Sequence, residues 1–205
     1  MRLHVHPENP PARKLQQAVD IIRAGGTMIY PTDTVYALGC AIGQQRAVEK
    51  ICRLRKLDPA KANLSIICND LSQLSDYAAQ LDNSLFRELK RLFPGPYTVI
   101  LKGTNRLPKI FKNKKKTIGI RVPDSEVTRM MVDLLGEPIL TASLKWDDDA
   151  DLITEYPTDI DEIVDHYERE VDVIIDSGNG GNTPSTVLDA TSGELSLLRE
   201  GKGEF

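Results

Sequence analysis

The chain of 205 residues holds three cysteines and three histidines, and neither set is arranged for chemistry. Cys40, Cys52 and Cys68 form no Cys-x-x-Cys pair, and an odd count does not make a closed disulfide framework. All three lie in or beside apolar runs, where buried, reduced thiols are expected. His4, His6 and His166 stand near no obvious partner and read as surface residues. Long hydrophobic runs are also missing: no stretch approaches the ~20 apolar residues that span a bilayer. The first residues, Met1-Arg2-Leu3-His4-Val5-His6-Pro7, lack the apolar core of a secretory signal. The expected compartment is therefore the cytoplasm, with no membrane partner. Positive charge is in deficit, with 26 Lys and Arg against 30 Asp and Glu and a net charge of −4. That excludes coating of nucleic acid by charge alone, though not a local basic cleft. There is no Walker A motif. The glycines at 178, 180 and 181 precede a strand-like run rather than a helix, which excludes the dinucleotide-binding fingerprint. No internal repeat, linker or low-complexity segment is visible.

What is present is ordinary for a globular chain, 40% hydrophobic and 27% charged. The length fits a single domain over residues 1–205. Periodicity predicts strands at 1–6, 28–30, 64–68, 97–101, 117–122, 138–142, 171–175, 184–189 and 194–198, and helices at 12–24, 45–54, 71–77, 81–93, 124–135 and 158–167. Helices and strands alternate over the first two thirds and strands cluster afterwards. The expected fold is α/β, a twisted, mixed, open sheet with helices on its faces.

The stretch from Tyr30 to Cys40 organises the rest. The apolar run Met28-Ile29-Tyr30 ends at Pro31, which cannot donate a ladder hydrogen bond. Thr32, Asp33 and Thr34 then lie on a loop at a strand's C-terminal end, where open α/β sheets hold ligands; Val35 and Tyr36 lead into a small-residue turn. A strand-to-helix turn capped by the threonines fits the local chemistry equally well. In the strand at 117–122, alternation sets Thr117, Gly119 and Arg121 on one face and Ile118, Ile120 and Val122 on the other. A strand arginine so placed is expected to meet an anion or a carboxylate, because burying it unpaired is costly. Arg53, Arg55 and Lys56 end the second helix and complement its dipole. A lysine run follows at 109–116; it reads as a solvated loop, with a nucleic-acid patch as the alternative. Asp147, Asp148, Asp149 and Asp151 are clustered, but near-consecutive positions on one loop seldom converge on an ion, so no protein metal site is expected. No nucleophile with its general base is evident. Scattered cations and hydroxyls instead describe a phosphate or carboxylate site that works by positioning and electrostatics.

Several motifs occur in a shared order: Pro31-Thr32-Asp33-Thr34-Val35-Tyr36-Ala37-Leu38-Gly39, Arg53-Leu54-Arg55, Pro94-Gly95-Pro96-Tyr97-Thr98, Thr117-Ile118-Gly119-Ile120-Arg121-Val122-Pro123, Pro184-Ser185-Thr186-Val187-Leu188-Asp189 and Arg199-Glu200-Gly201. By these the chain resembles the YrdC/YciO family over nearly its whole length, and is most like the YciO branch. The resemblance implies a YrdC-like fold with a large basic concave cleft. It implies an enzyme, a threonylcarbamoyl-AMP synthase-type nucleotidyltransferase. L-threonine, bicarbonate and ATP would give threonylcarbamoyl-adenylate and pyrophosphate, with Mg²⁺ carried in on ATP, in service of tRNA threonylcarbamoyladenosine modification. It implies catalytic Arg53 and Arg55; a threonine site of Thr34, Tyr36, Arg121, Ser143 and Ser185; and a nucleotide site of Arg53, Arg55, Thr117, Lys145 and Arg199. Arg53 stands where the family has lysine, Lys145 where it has asparagine, and Ile67 about where many members have histidine. The chain ends after the arginine motif, which leaves no room for the extra C-terminal domain of some relatives. Two other readings stay open: a tRNA- or double-stranded-RNA-binding protein of the same fold with weak or no synthase activity, and a regulatory module without catalysis.

Overall fold

The structure is a computed structural model that describes residues 1–58, 64–79, 81–108, 116–146 and 156–205. Most of the turn expected at 58–61, the lysines at 109–115 and the aspartates at 147–151 lie outside the described residues. Eleven strands and six helices occur among those described: β1 (Arg2–His4), α1 (Ala12–Arg23), β2 (Met28–Tyr30), β3 (Ala37–Ala41), α2 (Gln45–Leu54), β4 (Ser65–Ile67), α3 (Leu71–Tyr77), β5 (Ala78–Ala79), α4 (Asn83–Leu92), β6 (Tyr97–Gly103), β7 (Thr117–Arg121), α5 (Glu126–Leu135), β8 (Ile139–Ser143), α6 (Ile160–Tyr167), β9 (Val173–Asp176), β10 (Thr186–Asp189) and β11 (Ser196–Arg199). They form one mixed sheet in the order β1-β9-β2-β3-β8-β4-β7-β6-β10-β11, with β5 pairing β6 off that path.

The helices expected from apolar periodicity are present, and several ends carry the expected chemistry. Asp70, Asp82, Ser125 and Asp159 cap α3, α4, α5 and α6 by accepting backbone N–H bonds. Two departures concern the opening stretch. Residues 37–41 form β3, not a small-residue turn, and the loop after Pro31 therefore joins two antiparallel strands, β2 and β3, rather than a strand and a helix. The signal was hidden because Ala, Leu, Gly and Cys carry little strand propensity, and β3 is buried along its whole length between β2 and β8. The two-residue strand β5 was also unforeseen.

Period-two alternation divides the apolar residues between the two faces of the sheet. Ile29, Leu38, Cys40, Ile66, Ile118, Ile120, Leu140 and Ile174 pack with Ile51 of α2, Leu74 of α3, Leu89 of α4 and Ile163 of α6 in one core. Met28, Tyr30, Ala37, Ile67, Ile139, Val173 and Ile175 point the other way and pack under Leu15, Val19 and Ile22 of α1 and Met131 of α5. Among the described residues, α1 and α5 are the helices that pack on the second face. They lie over the β9-β2-β3 side, and no helix among the described residues packs on the rest of that face.

Candidate functional site

On the bare part of this face the sheet floors a cavity of about 620 Å³. Its centre is a row of registered neighbours on five strands: Thr141 of β8, Ser65 of β4, Gly119 of β7, Ile100 of β6 and Asp189 of β10. Ile100 apart, these side chains are small or polar, where the covered part of the face is mostly apolar. A Cβ at Gly119 would overlap Ser65 Oγ and crowd Thr98 Cγ2, so glycine keeps the floor open. The expected face of β7 is the face observed, since Thr117, Gly119 and Arg121 all line the cavity.

The walls carry charge. Arg55, Arg121, Lys145 and Arg199 line the cavity, and Asp189 is the one carboxylate among its described lining residues. Arg55 caps the C-terminus of α2. Lys145 follows β8; Tyr167 Oη donates to its carbonyl at 3.0 Å, and the Leu144 N–H donates to the Tyr36 carbonyl at 2.9 Å. The Lys145 ammonium lies 5.9 Å from the centre of the Tyr156 ring. Arg199 ends β11 and donates to the Ser185 carbonyl at 2.7 Å. Ser185 Oγ lies 2.8 Å from Thr98 Oγ1 in a buried hydroxyl pair.

The opening loop stands beside this cavity and is held to it through Arg121. Arg121 Nη2 donates to Asp33 Oδ1 at 2.7 Å and to Thr34 Oγ1 at 3.0 Å. The carboxylate expected to meet this arginine is thus Asp33, and the pair is buried, with side-chain exposures of 5% and 7%. The start of α5 braces the same loop: Thr128 Oγ1 donates to the Pro31 carbonyl at 2.9 Å and the Asp124 N–H to Asp33 Oδ2 at 3.2 Å. Tyr36 turns away from the cavity. Its buried hydroxyl donates to the Gly178 carbonyl at 2.7 Å and accepts the Ser177 N–H at 3.3 Å, and burial pushes its pKa up. Gly180 lies on its ring and Gly181 against the Thr34 carbonyl, so close that a side chain at either would clash. The glycine loop 178–181 is therefore packed against the opening loop.

The predicted residues sort accordingly. Arg55, Thr117, Arg121, Ser143, Lys145, Ser185 and Arg199 are brought together around one cavity. Thr34 touches it through Arg121, and Tyr36 braces the loop from behind. Arg53 stands apart from these. It is exposed on α2 and is not among the cavity's lining residues. The reason is helical geometry: residues i and i+2 are ~200° apart around the axis and do not share a face. Asp33, Ser65, Thr98, Thr141, Tyr156 and Asp189 were missed. Thr98 and Asp189 stand inside quoted motifs, and Asp33 is the neighbour of Thr34. Ser65 and Thr141 carried no local signal and depend on strand register. The three thiols are buried and reduced, and burial pushes Cys40 up to about 12. No helix among the described residues is long and apolar enough to cross a membrane.

Comparison with known proteins gives a consistent set of likenesses. The Sua5_yciO_yrdC family model, described as "Telomere recombination", matches residues 20–201. YciO of Escherichia coli K12 is 45% identical over 202 residues, covering 98% of this chain and 95% of that protein. The crystal structure of E. coli YciO superposes with a TM-score of 0.91 at 42% identity, covering 100% of this chain and 97% of that one. The threonylcarbamoyl-AMP synthase of Chromohalobacter salexigens is 29% identical over 184 residues, 89% of this chain and 96% of that protein. The crystal structure of P. abyssi Sua5 complexed with L-threonine matches with a TM-score of 0.87 at 27% identity, over 98% of this chain and 57% of that longer chain.

Proposed function

The chain belongs to the Sua5/YciO/YrdC family, and from that premise we propose that it is a threonylcarbamoyl-AMP synthase-type nucleotidyltransferase. L-threonine and bicarbonate condense to a carbamate with loss of water. A carbamate oxygen attacks the α-phosphorus of ATP in line, the bond to the bridging oxygen breaks, and pyrophosphate leaves. The product, threonylcarbamoyl-adenylate, feeds tRNA threonylcarbamoyladenosine modification.

The observation that carries this reading is the charge of the cavity: among the described lining residues, Arg55, Lys145 and Arg199 stand with Asp189 as the carboxylate and with Arg121 paired to Asp33, around about 620 Å³, a volume usual for small-molecule sites. Support comes also from the likeness to the threonine-complexed Sua5. Such a reaction needs no protein nucleophile. It needs two reactants aligned and the charge on the triphosphate neutralised. Arg55, Lys145 and Arg199 take the triphosphate, with Mg²⁺ arriving on ATP. Thr117 and Ser143 supply hydroxyl donors, and Arg121 with Thr34 and Ser185 receives the threonine carboxylate.

The test is pyrophosphate release by the purified chain, dependent on both threonine and bicarbonate, together with calorimetric titration of ATP. Turnover that vanishes when either reactant is left out is expected. No turnover and no ATP binding would overturn the proposal; salt-sensitive binding of tRNA or double-stranded RNA in their place would move the same cavity to the RNA-binding alternative.

A further inference from the structure

Arg121 would bring a full positive charge to a ligand carboxylate, but the protein has already answered that charge. Both protons of its Nη2 are taken, one by Asp33 at 2.7 Å and one by Thr34 at 3.0 Å. Its Nε is buried without a hydrogen-bond partner among the described residues, and the residue as a whole is 4% exposed. Asp33 is not free to swing aside. Its second carboxylate oxygen accepts the Asp124 N–H at 3.2 Å, and its own carbonyl accepts Lys202 Nζ at 2.6 Å. Thr34 is equally fixed: its hydroxyl lies 3.0 Å from Thr32 Oγ1, and Thr32 donates to the Val35 carbonyl at 2.7 Å.

We infer that Asp33 is a positioning residue that compensates Arg121, so that a substrate carboxylate in the cavity that Arg121 lines meets the guanidinium of a neutral pair and not a free cation. The inference rests on the reading of the site as one for threonine. An uncompensated arginine in a closed cleft would hold any carboxylate tightly and in several poses. Affinity gained equally in ground and transition states does not speed the chemical step. The pair therefore gives up affinity and gains alignment, and long-range attraction for the anionic substrates is left to Arg55, Lys145 and Arg199.

The test uses the full chain with L-threonine as probe, by calorimetry and by pyrophosphate release. Asp33→Asn keeps the oxygen that accepts from Arg121 and removes the charge. It is expected to bind threonine about tenfold more tightly while kcat falls about tenfold, two changes that a merely structural role would not send in opposite directions. Asp33→Glu, which keeps the charge, is expected to return affinity toward wild type. Threonine binding by folded Asp33→Asn that is equal to or weaker than wild type overturns the inference. Should that variant not fold, the partner cycle decides. Arg121→Gln, which leaves Asp33 unopposed, is expected to weaken threonine binding at least 100-fold, and adding Asp33→Asn to it to recover at least tenfold. A double variant that binds no better than Arg121→Gln overturns the inference as well. Wild-type protein that binds threonine without turnover would defeat the synthase proposal and leave this inference to be judged on the affinities; no threonine binding by any of these proteins would defeat both.

Discussion

One face of the sheet carries two different surfaces. Over β9, β2 and β3 it presents Met28, Tyr30, Ala37, Val173 and Ile175 to α1 and α5. Over β4, β7, β6 and β10 it presents Ser65, Gly119, Thr117, Thr98 and Asp189 to the cavity. The backbone pairing is continuous across the boundary, and Tyr30 Oη donates to Thr141 Oγ1 across it at 2.8 Å. Side-chain character therefore follows the division between the part under the helices and the part that floors the cavity. Aliphatic residues gain from being covered. Hydroxyls and arginines lose unless a polar partner or water reaches them.

Four experiments would break or sharpen this contrast. The largest effect is expected for Gly119→Val, which places a branched side chain against Ser65 and Thr98 at the floor. Binding of threonine and ATP should fall more than about 100-fold in a protein whose circular dichroism is unchanged, because a well-packed site cannot accept added volume without shifts. Under the helices the matching lesion is Leu15→Ala, at a residue with 0% exposure. It should cost about 2–5 kcal/mol in chemical denaturation and leave the affinity of the folded fraction intact. An unaltered midpoint would refute the division into a packed part and an open part. Next, Arg55→Ala should weaken ATP binding by about 10–100-fold, as expected for loss of a charge-assisted contact, while Arg53→Ala should stay within about twofold. Equal losses at both positions would return Arg53 to the site.

The smallest effect concerns Asp176, at the end of β9 and behind the glycine loop. Burial by itself raises its carboxyl pKa, but the Gly178 N–H at 2.9 Å and the Arg2 guanidinium at 2.8 Å hold it below the usual carboxylate range. A depressed folded pKa contributes stability that is present above the unfolded value, ~3.9, and is lost as pH falls through the folded value below it. Asp176→Asn should therefore be less stable than wild type by about 1 kcal/mol at pH 7, and the gap should narrow progressively below pH ~4. A gap of constant size down to pH 2 would show that the effect is not one of charge.

Much of the fold was readable along the chain because its elements announce themselves locally. The stripe Leu15, Ala18, Val19 and Ile22 has helical spacing, and Thr117, Gly119 and Arg121 have strand spacing. Where local signals were weak, the reading failed. Ala37 to Ala41 is a strand because β2 and β8 pair with it on both sides, which no feature of its own residues announces. Arg53 and Arg55 are neighbours in the motif but face different ways at the end of α2, one exposed and one buried, and the periodicity already in hand was enough to separate them. That Arg121 wants an acidic or anionic partner was legible from its place in an apolar strand; that the partner is Asp33, 88 positions earlier, was not.

By itself, then, the sequence determined the α/β alternation, the buried faces of most elements, the end of β2 at Pro31 and the stock of cations and hydroxyls available for an anionic ligand. These depend on interactions within a few residues, which spacing encodes directly. Tertiary structure alone decided which of those groups share a cavity, because that depends on strand order and register between segments far apart in the chain. It set Ser65 beside Gly119 and Thr141 and closed Asp33 onto Arg121.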